Sequence, residues 1–324
     1  MVEANGKVTA TVKVEINQHT MTNHSNYKEY LSYKPEVQGF FDTRTNTISY
    51  VVADTNTKKC AIIDSVMDYE PHGATISFEH ADAIIAYIKE KGYEVEWILE
   101  THVHADHLSA APYLKEKCGG QMAIGKYIVD VQEIFGKVFN EGTEFQRDGS
   151  QFDRLWSDGD TFMLGGIPAT VLHTPGHTPA DMVYVIGDAI FAGDTMFMPD
   201  YGTARCDFPG GSSATLYEST QKIFALPDEM RMFMCHDYLP EGRTEYVWET
   251  TVGEQKKHNI HLKEGTDQGR FKQMRDERDA KLGMPTLIIP SIQVNMHAGH
   301  IPKDTTSGTP MLKTPVNSIF SKRL

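Results

Sequence analysis

Residues 100–108 read ETHVHADHL, and they place His102, His104, Asp106 and His107 within six consecutive positions. The preceding residues 95–99, VEWIL, read as a strand, so four metal-competent side chains crowd one strand end. Alternate residues on an extended segment share a face, so His102 and His104 can converge on one cation while the following turn brings round Asp106 and His107. Such crowding of imidazoles and a carboxylate is costly without a cation to hold.

Three later motifs repeat the placement. HTPGHT (173–178) puts His177 after a Pro-Gly turn, AGDT (192–195) puts Asp194 at an expected strand end, and MCHDY (234–238) does the same for His236. Any one of the 14 histidines taken alone is better read as a surface or satisfied core residue. The ensemble is not, because ligands sent from several strand ends to one edge are how an α/β scaffold builds a rigid site. The other histidines have no comparable setting, apart from His173 as a group that could back the ligands.

Outward from these motifs, β-branched runs at 47–53 and 60–64 read as strands joined by the polar turn 54–59. Helical spacing covers 80–92, 110–117 and 127–135, with a strand at 121–124. Residues 140–160, rich in Gly, Asp, Ser and Gln, read mostly as an exposed loop. Strands follow at 168–173, 182–186 and 189–192, the last two joined by the turn Gly187-Asp188, then a helix at 214–226 and a strand at 231–235. Two runs of strands with helices behind them predict an α/β fold, an αββα sandwich of two central mixed sheets flanked by helices. On this reading 1–35 is an N-terminal extension, 36–260 the sandwich domain, and 261–324 a C-terminal helix and extended tail packing on it. The charged helix at 267–281 reads as a solvated face, and the residues from 302 as a loose tail or one lying across a neighbour.

The 324 residues are 40% hydrophobic and carry a formal charge of −13. That size allows a real core, and that charge argues against sequence-independent binding to nucleic acid or an anionic membrane. Cys60, Cys118, Cys206 and Cys235 are far apart with no CxxC pair, so a reducing cytoplasm is the expected setting. The first thirty residues show no apolar run of the kind a signal peptide or anchor needs.

HxHxDH, PGH, GD and CHDY in this order resemble the metallo-β-lactamase superfamily, over about residues 39–250. That superfamily includes thioesterases, lactamases, nucleases, flavodiiron proteins and a sulfur dioxygenase. GTARCDF (202–208), TLYES (215–219), HDY and PSIQVNMHAG (290–299) are similar to the persulfide dioxygenases, in the longer bacterial form often described only as β-lactamase-like hydrolases. The resemblance implies one Fe(II) per chain on His102, His177 and Asp194, with His104, Asp106, His107 and His236 around it or holding a second metal. It also implies glutathione persulfide and O2 as substrates, and a homodimer or higher homo-oligomer. Two imidazoles and one carboxylate leave coordination positions open, as in non-haem Fe(II) oxygenases.

Arg205 is the expected contact for a substrate carboxylate because its planar fork suits bidentate pairing, with Tyr238 as a second polar contact. The competing reading of Arg205 is an ion pair with Asp207 that fixes a loop. Thr203 and Ala298 stand where the persulfide dioxygenases of the resemblance have cysteines nearby, so no role is carried over to either. Two alternatives stay open. All seven ligand positions are filled, which permits two Zn(II) bridged by Asp194 and thioester hydrolysis of the glyoxalase II type. A non-catalytic binding protein is the other, and the intact ligand set weighs against it.

Overall fold

The computed structural model describes residues 24–263 and 265–317. Residues 1–23 of the expected N-terminal extension, and 318–324 of the tail, lie outside the described residues.

Strand-forming, β-branched runs build two six-stranded sheets. The first has the order Glu36–Asp42, Thr47–Asp54, Lys59–Ile63, Glu94–Leu99, Gln121–Gly125, Arg154–Trp156. Its first three strands are antiparallel and the rest run parallel to Lys59–Ile63. The second sheet has the order Thr161–Leu164, Ile167–His173, Met182–Ile186, Ala189–Phe191, Arg231–Phe233, Glu249–Thr251. It is antiparallel except where Ala189–Phe191 pairs with Arg231–Phe233. A small sheet joins Thr75–Ser77, Val66–Glu70 and Leu108–Ser109.

Side-chain alternation sorts each strand between two cores. Ile48, Tyr50 and Val52 point between the sheets against Leu164, Val171, Tyr184 and Phe191. Their neighbours Val51 and Ala53 point outward, where Ile84, Ile88, Leu114, Ile128, Val131 and Ile292 cover the first sheet. The outer face of the second sheet, with Val183, Val185 and Met232, packs on Leu216, Ile223 and Phe271. Because both faces are covered, all eight residues of Thr47–Asp54 are buried. The result is the expected αββα sandwich of two mixed sheets flanked by helices.

Two sequence expectations change. The stretch 140–160 is not all loop: Arg154–Trp156 adds an edge strand to the first sheet, because Trp156 is buried against Phe162 and Trp97 and that packing overrides polar flanks. The helix Gln268–Asp279 is not uniformly solvated either. Arg275 and Asp279, one turn apart, are buried and pair with each other. No helix among the described residues is long and apolar enough to cross a membrane.

Candidate metal centre

The metal-competent residues lie at, or just beyond, strand ends on one edge of the sandwich. His102 follows Glu94–Leu99, His177 sits between Ile167–His173 and Met182–Ile186, Asp194 occupies the turn Gly193–Thr195, and His236 follows Arg231–Phe233. Two glycines permit the approach. A Cβ on Gly176, at φ +145°, would lie 2.4 Å from Leu216 Cα, and one on Gly193, at φ +49°, would lie 2.8 Å from Thr101 Cβ.

Each imidazole is tied down through one nitrogen. Thr101 Oγ gives its hydrogen to Asp64 Oδ2 (2.9 Å), so it accepts from His102 Nδ1 at 3.0 Å and leaves Nε2 turned inward. His177 Nδ1 donates to the Arg205 carbonyl at 2.7 Å. His236 Nδ1 bonds the Asn46 carbonyl at 3.2 Å, and His107 Nδ1 lies 3.3 Å from Thr47 Oγ. His104 is held by its other nitrogen: Nε2 reaches Asp64 Oδ1 at 3.0 Å and Glu100 Oε2 at 3.1 Å. Outer partners of this kind fix the tautomer and aim of a metal-ligating histidine.

The inward atoms form two groups. Asp194 Oδ2 lies 3.9 Å from His102 Nε2 and 3.5 Å from His177 Nε2, within the span of two bonds of about 2 Å to one centre. Asp194 Oδ1 lies 3.3 Å from His236 Nε2, which is 3.2 Å from Asp106 Oδ2. Of the twelve buried side-chain polar atoms without a hydrogen-bond partner among the described residues, six belong to His102, His104, Asp106, His107, Asp194 and His236. Buried polar atoms are normally satisfied, so an orphan cluster of imidazole and carboxylate donors fits a cation.

Electrostatics agree. Burial, then the neighbouring imidazoles, hold His102 well below the ordinary histidine range, and His107 is pushed down to about 4, so both are neutral and able to ligate. Burial would raise the Asp106 carboxyl, but His236 and His107 outweigh it and keep it ionised. His104 goes the other way: burial is overridden by Asp64 and Glu100, which lift it well above its usual value.

The structure therefore brings His102, His177 and Asp194 together as one group, and His104, Asp106 and His107 as another. His104 Nδ1 is left without a hydrogen-bond partner among the described residues while its other nitrogen is held by two buried carboxylates, and its ring centroid lies 4.1 Å from that of His102. Tyr238 stacks on His236 with centroids 5.5 Å apart. Arg205 makes a bidentate pair with Asp207 at 2.5 and 2.7 Å and donates to the Gly283 carbonyl at 2.6 Å. His173 faces elsewhere, bonded to the Pro179 carbonyl and stacked on Tyr127.

Several residues went unrecognised in the sequence. Asp64 is a buried hub that accepts from Thr101 N, Thr101 Oγ and His104. Asn295 bonds the carbonyls of His104 and His107 at 2.9 and 2.8 Å and takes Ser109 N at 2.8 Å. His261, read as lacking a setting, accepts from Thr203 N at 3.0 Å. Arg275 and Asp279 grip the loop bearing Arg205 through the Thr203 carbonyl (3.0 Å) and Cys206 N (2.8 Å). The signals were present in the strand end CAIID and in PSIQVNMHAG, but nothing local in either announces a partner so distant in the chain.

Beside the cluster opens a cavity of 590 Å³, within the usual range for a small-molecule site. Asp106, His107, His177 and Asp194 line it, with Phe197, Tyr201, Phe208 and Tyr238 as aromatic walls.

Comparison with known proteins adds the following. The model of the family described as the metallo-beta-lactamase superfamily matches residues 42–236. A probable metallo-hydrolase of Burkholderia pseudomallei is 50% identical over 293 residues, covering 87% of this chain and 99% of that protein. The chain spans 65% of the length of a β-lactamase hydrolase-like protein of Xylella fastidiosa, at 50% identity over 88% of its own residues. Glyoxylase B2 of Dictyostelium discoideum is 46% identical over 89% of this chain and 99% of its own length. Human mitochondrial persulfide dioxygenase ETHE1 is 28% identical over 61% of this chain and 66% of its own length. Among solved structures, ETHE1 from Myxococcus xanthus superposes with a TM-score of 0.65 at 27% identity, covering 82% of this chain and all of that one.

Proposed function

Since the chain belongs to the metallo-β-lactamase superfamily, and its first group of inward donors is two histidines and one carboxylate, we propose that it is a persulfide dioxygenase. Glutathione persulfide, O2 and water would give sulfite and glutathione. The observation that carries this reading is the donor set itself: one ligand atom from each of His102, His177 and Asp194 lies within 4.8 Å of the other two. Two imidazoles with one carboxylate make the donor set of non-haem Fe(II) oxygenases, which keep open positions for substrate and O2. Similarity to proteins named ETHE1 in sequence and in structure supports it further.

His102, His177 and Asp194 would hold one Fe(II), which when bound supplies the redox chemistry with O2 that no side chain supplies. The chain's own residues do the rest. Thr101 and the Arg205 carbonyl keep Nε2 of both histidines aimed inward. Phe197, Phe208 and Tyr238 wall the cavity and restrict water beside the centre, with the Tyr238 phenol as a polar contact. Arg205 is also at the wall, but its fork is occupied by Asp207, so its part is to shape the loop that orients His177. Four free cysteines, three of them buried, support a reducing cytoplasmic setting. A homo-oligomer belongs to the same reading and is checked by light scattering.

One observation favours a second reading. Asp106, His107, His236 and the outer oxygen of Asp194 form another set of unpaired inward donors, which suits a dinuclear Zn(II) thioester hydrolase and the names of the glyoxylase and metallo-hydrolase relatives. Anaerobic purification with elemental analysis, run beside O2 uptake on glutathione persulfide and a thioester hydrolysis assay, separates the two. About one iron per chain with O2 uptake is expected. Two zinc per chain with thioester turnover and no O2 uptake refutes the dioxygenase. His177→Ala and Asp194→Ala should each abolish metal retention and turnover, because a three-ligand site missing one ligand is incomplete.

A further inference from the structure

Four arginines line the cavity, Arg44, Arg205, Arg275 and Arg278, and three are already neutralised. Arg44 pairs with Asp42 and Asp68, Arg205 with Asp207, and Arg275 with Asp279. Arg278 is exposed, and its guanidinium has no hydrogen bond or ion pair among the described residues. It is not on a loose segment. One helical turn before and one residue after it, Arg275 and Asp279 are buried and bolted to the loop that carries the backbone partner of His177. Asp276, also on this helix, is tied to Ser213 at 2.6 Å. The helix therefore presents Arg278 to the cavity from a base fixed against the loop beside His177.

The rest of the lining makes that charge decisive. Of the carboxylates that line the same cavity, Asp42 and Asp68 are paired with Arg44, whereas Glu70, Asp106 and Asp194 have no arginine or lysine partner among the described residues, so Arg278 is the unpaired arginine that the lining offers an anionic ligand. We infer that Arg278 is the residue that recognises a carboxylate of the substrate, and that the cavity selects small thiol compounds bearing one, such as an acidic peptide. A guanidinium free of internal partners loses none on binding, whereas Arg205 would have to break two bonds to Asp207. This inference rests on the thiol-type substrate proposed above, although not on which reaction the centre performs.

The test is calorimetric titration of metal-loaded protein with glutathione and with glutathione whose carboxylates are esterified, for wild type, Arg278→Ala, Arg278→Lys and Arg205→Ala. A charge-assisted pair predicts that Arg278→Ala weakens glutathione about 10- to 100-fold, leaves the ester unchanged and leaves the melting temperature unchanged, with partial recovery in Arg278→Lys. Arg205→Ala should instead lower the melting temperature. The inference is overturned if wild type does not bind glutathione, if Arg278→Ala binds it within twofold of wild type, or if acid and ester are weakened alike. Binding is read without turnover, so a failed O2-uptake assay with intact Arg278-dependent binding sinks the dioxygenase and spares this assignment. Normal O2 uptake with an indifferent Arg278→Ala does the reverse.

Discussion

Thr101 accepts from one ligand candidate and donates to the buried hub Asp64, so a single hydroxyl fixes which nitrogen of His102 faces inward. Thr101→Val keeps the shape and removes that relay. The expected result is a 10- to 100-fold loss of metal affinity, the usual size for an outer partner, read by chelator competition on the folded protein. An unchanged affinity would mean that backbone geometry alone orients His102. The ligand candidates themselves were legible in the sequence because few residue types bind metals and these cluster after strands. Their partners were not. Asp64 lies 37 residues from Thr101, Thr47 lies 60 from His107, and Asn295 lies 186 from Ser109. Each is an ordinary strand-end or helix-end residue until the fold closes.

At the scale of elements, short β-branched apolar runs exposed the central strands, whereas elements held by tertiary contacts alone stayed hidden. Arg154–Trp156 needed the second sheet before Trp156 had a place, and Ile288–Asn295 is a short apolar run with Pro290 inside that becomes a helix against the first sheet's helical layer. Gln268–Asp279 shows the opposite failure: an Arg and an Asp four apart usually mark a solvated face, yet here they neutralise each other in the interior. Asp279→Asn would leave the Arg275 charge buried and uncompensated, with an expected cost of about 3–5 kcal/mol in chemical denaturation. The same variant should loosen metal retention, since Cys206 N loses a charged acceptor next to the Arg205 carbonyl. A stability change of under 1 kcal/mol would show that the pair is not a brace.

For the whole molecule, the buried imidazole and carboxylate atoms that find no hydrogen-bond partner among the described residues are donors that a bound cation would satisfy. Metal removal by chelation should therefore lower the melting temperature by roughly 5 °C or more, as expected when a ligand present at about a hundred times its dissociation constant is withdrawn. Re-addition should restore it, and a melting temperature indifferent to metal would contradict a site at His102, His177 and Asp194. The two sheets supply the ligands, but the last helices complete their support: Asn295 holds the backbone of His104 and His107, while Arg275 and Asp279 hold the loop under His177. A nascent chain emerging from the ribosome thus displays all its candidate metal-binding side chains well before the segment that supports them has been synthesised. Cation capture at this site would in this way await the close of translation, and half-made chains would be poor competitors for scarce metal.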